Sequence, residues 1–250
     1  MEVQPSALIT SRPLQAGGTP ALPVSPSLIR EPGGGAAYEI KFRLTSEEAD
    51  WAETWARQRL LPDAHGDNGA YHTTSLYLDT PFLDIYHKTR GYRRSKYRLR
   101  RYGAAESIHL ERKIRRGDRV RKRRDLIPMN EASCLLDNDK GGWFGARVRQ
   151  RLLQPICWIS YTRTAFQSAT ANGPLRLTLD RGVVGTPATV WTVPACLEGR
   201  ELLPEEVILE LKFRAHLPSL FHELLAALPC RLAGVSKYGR CVESWDLTRR

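Results

Sequence analysis

The sequence predicts an α+β domain built on an eight-stranded antiparallel β-barrel, with a few helices packed outside it. About eight segments alternate apolar and charged residues with a period of two, which is typical of strands. Short turns join several of these segments, as expected for antiparallel neighbours. Only three segments carry apolar residues at helical spacing. Many antiparallel strands with few helices indicate the α+β class.

The first predicted strand shows the pattern that the others share. Tyr38, Ile40 and Phe42 alternate with Glu39 and Lys41, so the two sets point to opposite faces of the strand. The predicted strands span residues 38–44, 74–78, 96–102, 108–113, 119–124, 157–163, 175–180 and 207–213. The third, fourth and fifth follow one another so closely that they predict an antiparallel meander.

The helices are predicted from capping signals and apolar stripes. Thr45 and Glu48 have the spacing of a capping box, which predicts a helix start at that point. A leucine-rich stripe over residues 217–228 predicts a second helix, entered through Pro218. A third is predicted between residues 130 and 153, interrupted by two consecutive glycines.

The first 36 residues differ from the rest in composition. They are rich in Pro, Gly, Ser and Ala and lack hydrophobic periodicity, which predicts a disordered tail at residues 1–36 and a folded domain at residues 37–246. No segment has the pattern of a signal peptide or of a membrane span. The five cysteines are scattered without zinc-finger spacing, which favours reduced thiols and a cytoplasmic location.

The charge of the chain is concentrated in one region. The formal net charge is +11, and residues 88–124 contain 17 basic and three acidic residues. Like charges packed this densely repel one another unless an anion offsets them. The distribution therefore predicts an acidic partner, such as nucleic acid, anionic lipid or a phosphorylated molecule.

Charged residues also recur in phase on the predicted strands. The pattern Glu-x-Lys occurs at Glu39, at Glu111 and at Glu210, in strands far apart along the chain. One interpretation is a solvated outer face over an ordinary core. The other is a barrel whose charged faces point inward, where Arg and Lys bind phosphate and Glu binds a divalent metal. The repetition and the concentrated positive charge favour the second.

The ordered set of these segments resembles the VTC domain, the polyphosphate-polymerase domain of the vacuolar transporter chaperone family, within the triphosphate tunnel metalloenzyme (CYTH-like) superfamily. The matching segments occur in family order and cover the predicted domain. They are YEIKF at 38–42, SLYLDT at 75–80, KYRLRRY at 96–102, LERK at 110–113, KRR at 122–124, SYTR at 160–163, LRLTLD at 175–180, LELKF at 209–213 and SKY at 236–238.

The resemblance implies a tunnel with a basic lining that binds ATP and polyphosphate or pyrophosphate. The implied substrate-binding residues are Lys41, Arg98, Arg100, Lys113, Lys122, Arg124, Arg163, Arg176, Lys212 and Lys237. Of these, Arg98, Arg100, Lys113, Lys122, Arg163 and Arg176 would be catalytic. Glu210 would be the chief ligand of a divalent metal, Mn²⁺ or Mg²⁺, with Glu39 and Glu111 nearby.

One position conflicts with this assignment. Arg163 has the same strand parity as Ile159 and Tyr161, which look apolar-facing. Either a bulge turns Arg163 inward or its assignment is wrong.

Three functions are compatible with the predicted lining, and the sequence argues against a fourth, nucleic-acid binding. The resemblance implies a metal-dependent polymerase that transfers the γ-phosphate of ATP to a polyphosphate chain. A hydrolase of triphosphate or short polyphosphate, and a polyphosphate-binding protein without catalysis, would use the same lining. Nucleic-acid binding is not expected, because the basic segment alternates Arg with apolar residues and lacks interleaved Phe or Trp for base stacking.

Overall fold

The computed structural model describes residues 37–116, 119–137, 141–170, 173–214, 216–229, 231–232 and 234–249. The predicted disordered tail, residues 1–36, lies outside the described residues. The strands are β1 (Ala37–Leu44), β2 (Leu61–Pro62), β3 (Ala70–Asp79), β4 (Ser95–Tyr102), β5 (Ser107–Arg116), β6 (Arg119–Pro128), β7 (Gln154–Thr170), β8 (Gly173–Pro187), β9 (Arg200–Glu201), β10 (Val207–Phe213) and β11 (Arg231–Leu232).

Eight of these strands close into an antiparallel barrel. They are hydrogen-bonded in the order β7-β3-β4-β5-β6-β1-β10-β8, and β8 pairs back with β7. The two-residue strands β2, β9 and β11 add to this sheet. The predicted eight-stranded barrel is confirmed, and so is the meander of β4, β5 and β6. Closure leaves the barrel with an interior that side chains from every strand can reach.

The helices lie outside the barrel wall. They are α1 (Ser46–Arg59), α2 (Gly142–Gln150), α3 (Ser219–Ala227) and α4 (Lys237–Ser244), with 3₁₀ turns at Met129–Cys134 and Leu247–Arg249. The predicted capping box is present, since Thr45 Oγ1 accepts from the Glu48 amide at 3.2 Å and Glu48 Oε2 accepts from the Thr45 amide at 2.8 Å.

The third predicted helix is two separate pieces. A 3₁₀ turn ends at Cys134, and α2 begins only at Gly142, which has a φ of +48°. Glycine adopts a left-handed φ of this kind without strain, and α2 begins at the predicted interruption. The helix α4 was not predicted, because its eight residues are short and its first turn is polar.

The hydrophobic core lies on the outer face of the barrel. Leu209 and Leu211 of β10 are fully buried in a cluster with Trp55 of α1 and Phe221 of α3. Each such side chain contributes roughly 1.5–3 kcal/mol when it is fully buried. Because a strand alternates its faces, burying these residues outside points Glu210 and Lys212 toward the barrel interior.

Candidate functional site

The inward faces of the eight strands enclose a cavity of about 220 Å³. Side chains of all eight strands line it, together with the segment from Val235 to Lys237 at the start of α4. The structure places all ten predicted substrate-binding residues in this lining: Lys41, Arg98, Arg100, Lys113, Lys122, Arg124, Arg163, Arg176, Lys212 and Lys237. Their roles in binding stay predictions.

Two of the Glu-x-Lys strands form an alternating charge pattern. In the β1–β10 ladder, Lys41 lies directly opposite Glu210, and Glu39 lies directly opposite Lys212. The ammonium of Lys41 contacts the carboxylates of both Glu39 and Glu210. Lys212 Nζ lies 2.9 Å from Glu210 Oε1, and Lys113 Nζ of β5 lies 2.6 Å from Glu39 Oε1. Two antiparallel copies of the same motif therefore pair each lysine with an acid.

These contacts keep the acids ionised despite their burial. Burial and the neighbouring Glu210 both oppose ionisation of Glu39, yet Lys113, Lys212 and Lys41 lower its pKa to about 2. Burial also opposes ionisation of Glu210, and the surrounding lysines hold its pKa well below the usual range. For Lys41, burial opposes the charge, but Glu210 and Glu39 raise its pKa above the ordinary value. All three groups are therefore charged at neutral pH.

Glu111 is the centre of a second ion cluster. It lies opposite Arg98 of β4 and Arg124 of β6 in the two adjoining ladders. Its carboxylate is 2.6 Å from Arg98, 2.8 Å from Lys122 and 2.9 Å from Arg124. Burial would raise the pKa of Glu111, but these cations hold it well below the usual range. The carboxylate holds three prospective phosphate ligands close together.

The predicted metal ligands fall into two sets. Among the described residues, no group of three or more His, Cys, Asp and Glu side chains is arranged to hold a metal ion. Glu39 and Glu210, however, converge on one cation, the ammonium of Lys41. Two carboxylates with a substrate phosphate are a donor set that suits Mg²⁺ or Mn²⁺. Glu39 and Glu210 therefore fit a divalent cation, whereas Glu111 is already held by three cationic side chains, and its place in metal binding stays a prediction.

The arginines of β4 are held in fixed orientations by hydroxyl groups. Arg98 Nη1 donates to the Tyr77 hydroxyl at 3.1 Å. Arg100 Nε donates to Ser75 Oγ at 3.0 Å, and its Nη2 donates to the Tyr161 hydroxyl at 2.9 Å. From the sequence alone, no site role was predicted for Ser75, Tyr77 and Tyr161. Their strand parity, which places them on the interior face, could have identified them.

The apparent conflict at Arg163 does not arise. In the β3–β7 ladder, Arg163 pairs with Tyr71 and Tyr161 pairs with Thr73, without a register shift between these pairs. Tyr71, Tyr161 and Arg163 all line the cavity. The β7–β8 ladder does shift register, between Ser160 and Thr162. Arg163 shares its face with Tyr161 because that tyrosine itself faces the interior, so the interpretation of Tyr161 as apolar-facing was wrong.

Asp180 ends the segment LRLTLD at 175–180 and was given no role in the site from the sequence alone. It is fully buried and accepts two hydrogen bonds from Arg163, at 2.6 and 2.8 Å. Lys237, at the start of α4, lies 2.5 Å from Asp180 Oδ2, which also accepts one of the two bonds from Arg163. Burial would raise the pKa of Asp180, but Arg163 and Lys237 lower it below the ordinary value. Asp180 therefore positions two lining cations and connects α4 to the barrel.

Replacing Asp180 with Asn should destabilise the fold, because it leaves Arg163 and Lys237 buried without an anion. The expected loss at pH 7 is about 3 kcal/mol. Since the folded pKa of Asp180 lies below the ordinary value of 3.8, its stabilisation is present above pH 3.8 and is lost progressively as the pH falls below it. Urea unfolding of both proteins in chloride buffer at pH 7 and pH 3 checks this. An equal difference at the two pH values would contradict it.

Arg176 and Lys96, two more cations of the lining, also have side-chain partners. Arg176 is 2.5 Å from Asp63, on the connection between β2 and β3, and donates to the Tyr71 hydroxyl at 3.0 Å. Lys96 also lines the cavity and donates to Ser236 Oγ at 3.0 Å. Lys96 was not predicted as a ligand, although it shares a strand face with Arg98.

None of the helices in the described parts of the chain combines the length and apolar character needed to cross a membrane.

A family model and several solved structures are similar to this chain. The family model of the VTC domain matches residues 36–246. A candidate adenylate cyclase from Bacillus halodurans has a similar fold, with a TM-score of 0.52 at 15% identity over 82% of this chain and 95% of that chain. A candidate adenylyl cyclase from Hippeastrum, described as having a dominant triphosphatase activity, has a TM-score of 0.47 at 16% identity over 84% of this chain and 96% of that chain.

Comparison with the curated protein sequences gives no match. The family match covers the whole barrel, including every strand that contributes to the charged lining. The chain therefore belongs to the VTC domain family.

Proposed function

We propose that this protein is a metal-dependent polyphosphate polymerase, which transfers the γ-phosphoryl group of ATP to a polyphosphate chain bound in the barrel. The observation that carries the proposal is the lining, in which twelve Arg and Lys side chains surround a cavity of about 220 Å³. A phosphate chain carries a negative charge on every unit, so it matches a lining with cations on all sides. Membership of the VTC domain family supports the same ligand.

The lining has the groups that phosphoryl transfer requires. A terminal oxygen of the phosphate chain would attack the γ-phosphorus of ATP, the bond from that phosphorus to the bridging oxygen would break, and ADP would leave. Arg98 and Arg100, held by Tyr77 and Tyr161, would donate to the oxygens of the transferred group. Their fixed guanidinium groups stabilise the developing charge without reorganising. A covalent enzyme intermediate is not needed.

Glu39 and Glu210 are the residues that would hold the divalent cation, since they already converge on one positive charge. When bound, the cation supplies charge neutralisation at the phosphate oxygens. Lys41, which these carboxylates share, would then be available to a phosphate oxygen. Glu111 would keep Arg98, Lys122 and Arg124 together elsewhere in the lining.

Incubation of the full chain with ATP and Mn²⁺, with and without a short polyphosphate primer, tests the proposal. Gel electrophoresis and ³¹P NMR separate long chains from free phosphate. A polymerase gives ADP and a ladder of growing chains. Release of free phosphate without chain growth would replace the polymerase with a hydrolase on the same lining. Tight polyphosphate binding without any turnover would make it a binding protein.

A further inference from the structure

A cluster of four arginines lies on the outer face of the barrel, apart from the cavity. Arg112 of β5 lies directly opposite Arg123 of β6. Since strand faces alternate, both point away from Glu111 and Lys122, which face the interior. The helix α2, which packs against β5, adds Arg147 in its last turn and Arg151 at its C-terminal cap. The outer arginine cluster is Arg112, Arg123, Arg147 and Arg151.

The positive charge of this cluster is not neutralised by acids in the described parts of the chain. Arg147 donates to the Gln150 side chain at 2.5 Å, and Arg151 donates to the carbonyl of Gly91 at 2.9 Å. Within the described residues, Nε of Arg112 is buried without a hydrogen-bond partner. Burial lowers the pKa of Arg112, and repulsion from Arg147, Arg151 and Arg123 lowers it further.

The aromatic residues below the cluster fix its guanidinium groups. Arg123 lies over the Trp143 ring at 4.3 Å, Arg151 over Tyr92 at 4.8 Å and Arg112 over Tyr97 at 5.5 Å. A planar guanidinium stacked on a ring keeps its N–H edges for bidentate contacts with phosphate oxygens. Asp125 is the acid on the same face of β6, and it accepts a hydrogen bond from the Trp143 indole. The cluster is therefore a preorganised anion-binding surface.

We propose that the outer arginine cluster binds a second segment of a long polyphosphate chain, outside the barrel, while the cavity holds another segment of that chain. The identity of the ligand rests on the proposed function. Two sites joined by one chain raise the affinity for long chains only, because a short chain cannot reach both.

The chemistry of the cluster favours polyphosphate over nucleic acid. Single-stranded nucleic acid is bound through bare aromatic rings that stack on the bases. Here the rings of Trp143, Tyr92 and Tyr97 lie under arginines, and Tyr97 is fully buried. The cluster offers closely spaced phosphate donors without a platform for bases.

The test compares chain lengths in two matched double variants of the full chain. Arg112→Gln with Arg123→Gln removes the β5–β6 half of the cluster. Arg57→Gln with Arg59→Gln in α1 removes the same charge from two arginines that also lie over rings, those of Phe166 and Trp55. Calorimetric titration is done with tripolyphosphate and with long-chain polyphosphate. We expect the first variant to lose about tenfold in long-chain affinity and none for tripolyphosphate, and the control to keep both.

A third variant, Arg147→Gln with Arg151→Gln, removes the other half of the cluster and keeps the test decisive if the first fails to fold. Equal long-chain affinity in the wild type and in both cluster variants would overturn the proposal. So would single-stranded DNA that binds as tightly as long-chain polyphosphate and loses the same affinity in these variants. Failure of tripolyphosphate to bind the wild type would instead count against the proposed function, since that function requires the cavity to bind a short phosphate chain.

Discussion

Replacing Glu210 with Gln should abolish turnover while the fold and the binding of a phosphate chain survive. Glu210 is buried on the interior face of β10, where it contacts Lys41 and Lys212. The amide has nearly the same shape, so packing of the strand through Leu209 and Leu211 should be kept. The substitution removes a negative charge that a hard divalent cation requires. Binding of the polyanion depends on Arg and Lys, and it could only gain when a repelling carboxylate is neutralised.

The expected loss is at least about a hundredfold in Mn²⁺-dependent ATP turnover. Turnover and polyphosphate affinity are measured on the same preparation, and thermal unfolding checks the fold. Glu206→Gln is the matched control, because Glu206 makes an ion pair with Arg43 at 3.1 Å and is not among the residues that line the cavity. Normal turnover with Glu210→Gln would refute the assignment of Glu210 to the metal.

Replacing either Arg98 or Arg100 with Ala should weaken polyphosphate binding far more than replacing Arg94 with Ala. Arg98 and Arg100 face the interior and line the cavity, whereas Arg94 lies exposed in the turn before β4. Each lost charge-assisted contact should cost roughly 1.5–3 kcal/mol of binding free energy. Arg98→Ala also removes one of the three cations that contact Glu111. Its effect should therefore include disorder of the other two, Lys122 and Arg124.

Calorimetric titration with tripolyphosphate measures the three variants side by side. Arg94→Ala serves as the control, because it removes the same charge from the same segment of the chain. Equal effects at all three positions would indicate a diffuse surface patch, and the tunnel interpretation would then be wrong.

Strand parity predicted the barrel and grouped its charged residues on one face. Alternation alone separates Glu210 and Lys212 from Leu209 and Leu211, and the structure places the first pair inside and the second in the outer core. The repeated Glu-x-Lys motif marked that face as something other than a solvated surface. The fold class therefore followed from local periodicity, which each strand carries in its own sequence.

Contacts between strands could not be predicted in the same way. Whether Lys41 meets Glu210 depends on the register of β1 against β10, which is set by packing across the whole barrel. The role of Asp180 in positioning Arg163 and Lys237 depends on tertiary contacts, since these residues lie on β7 and α4. The prediction that Tyr161 faces an apolar core was wrong because tyrosine suits a core as well as a charged lining. In the lining, its hydroxyl accepts a hydrogen bond from Arg100.

The most direct test of the central claim, that the barrel interior is the phosphate-binding site, is the electron density of tripolyphosphate in crystals of this protein grown with that ligand. The account predicts density inside the cavity, within hydrogen-bonding distance of Arg98, Arg100 and Lys113. A cavity that contains only water, in crystals whose bound tripolyphosphate lies on the outer surface, would contradict it.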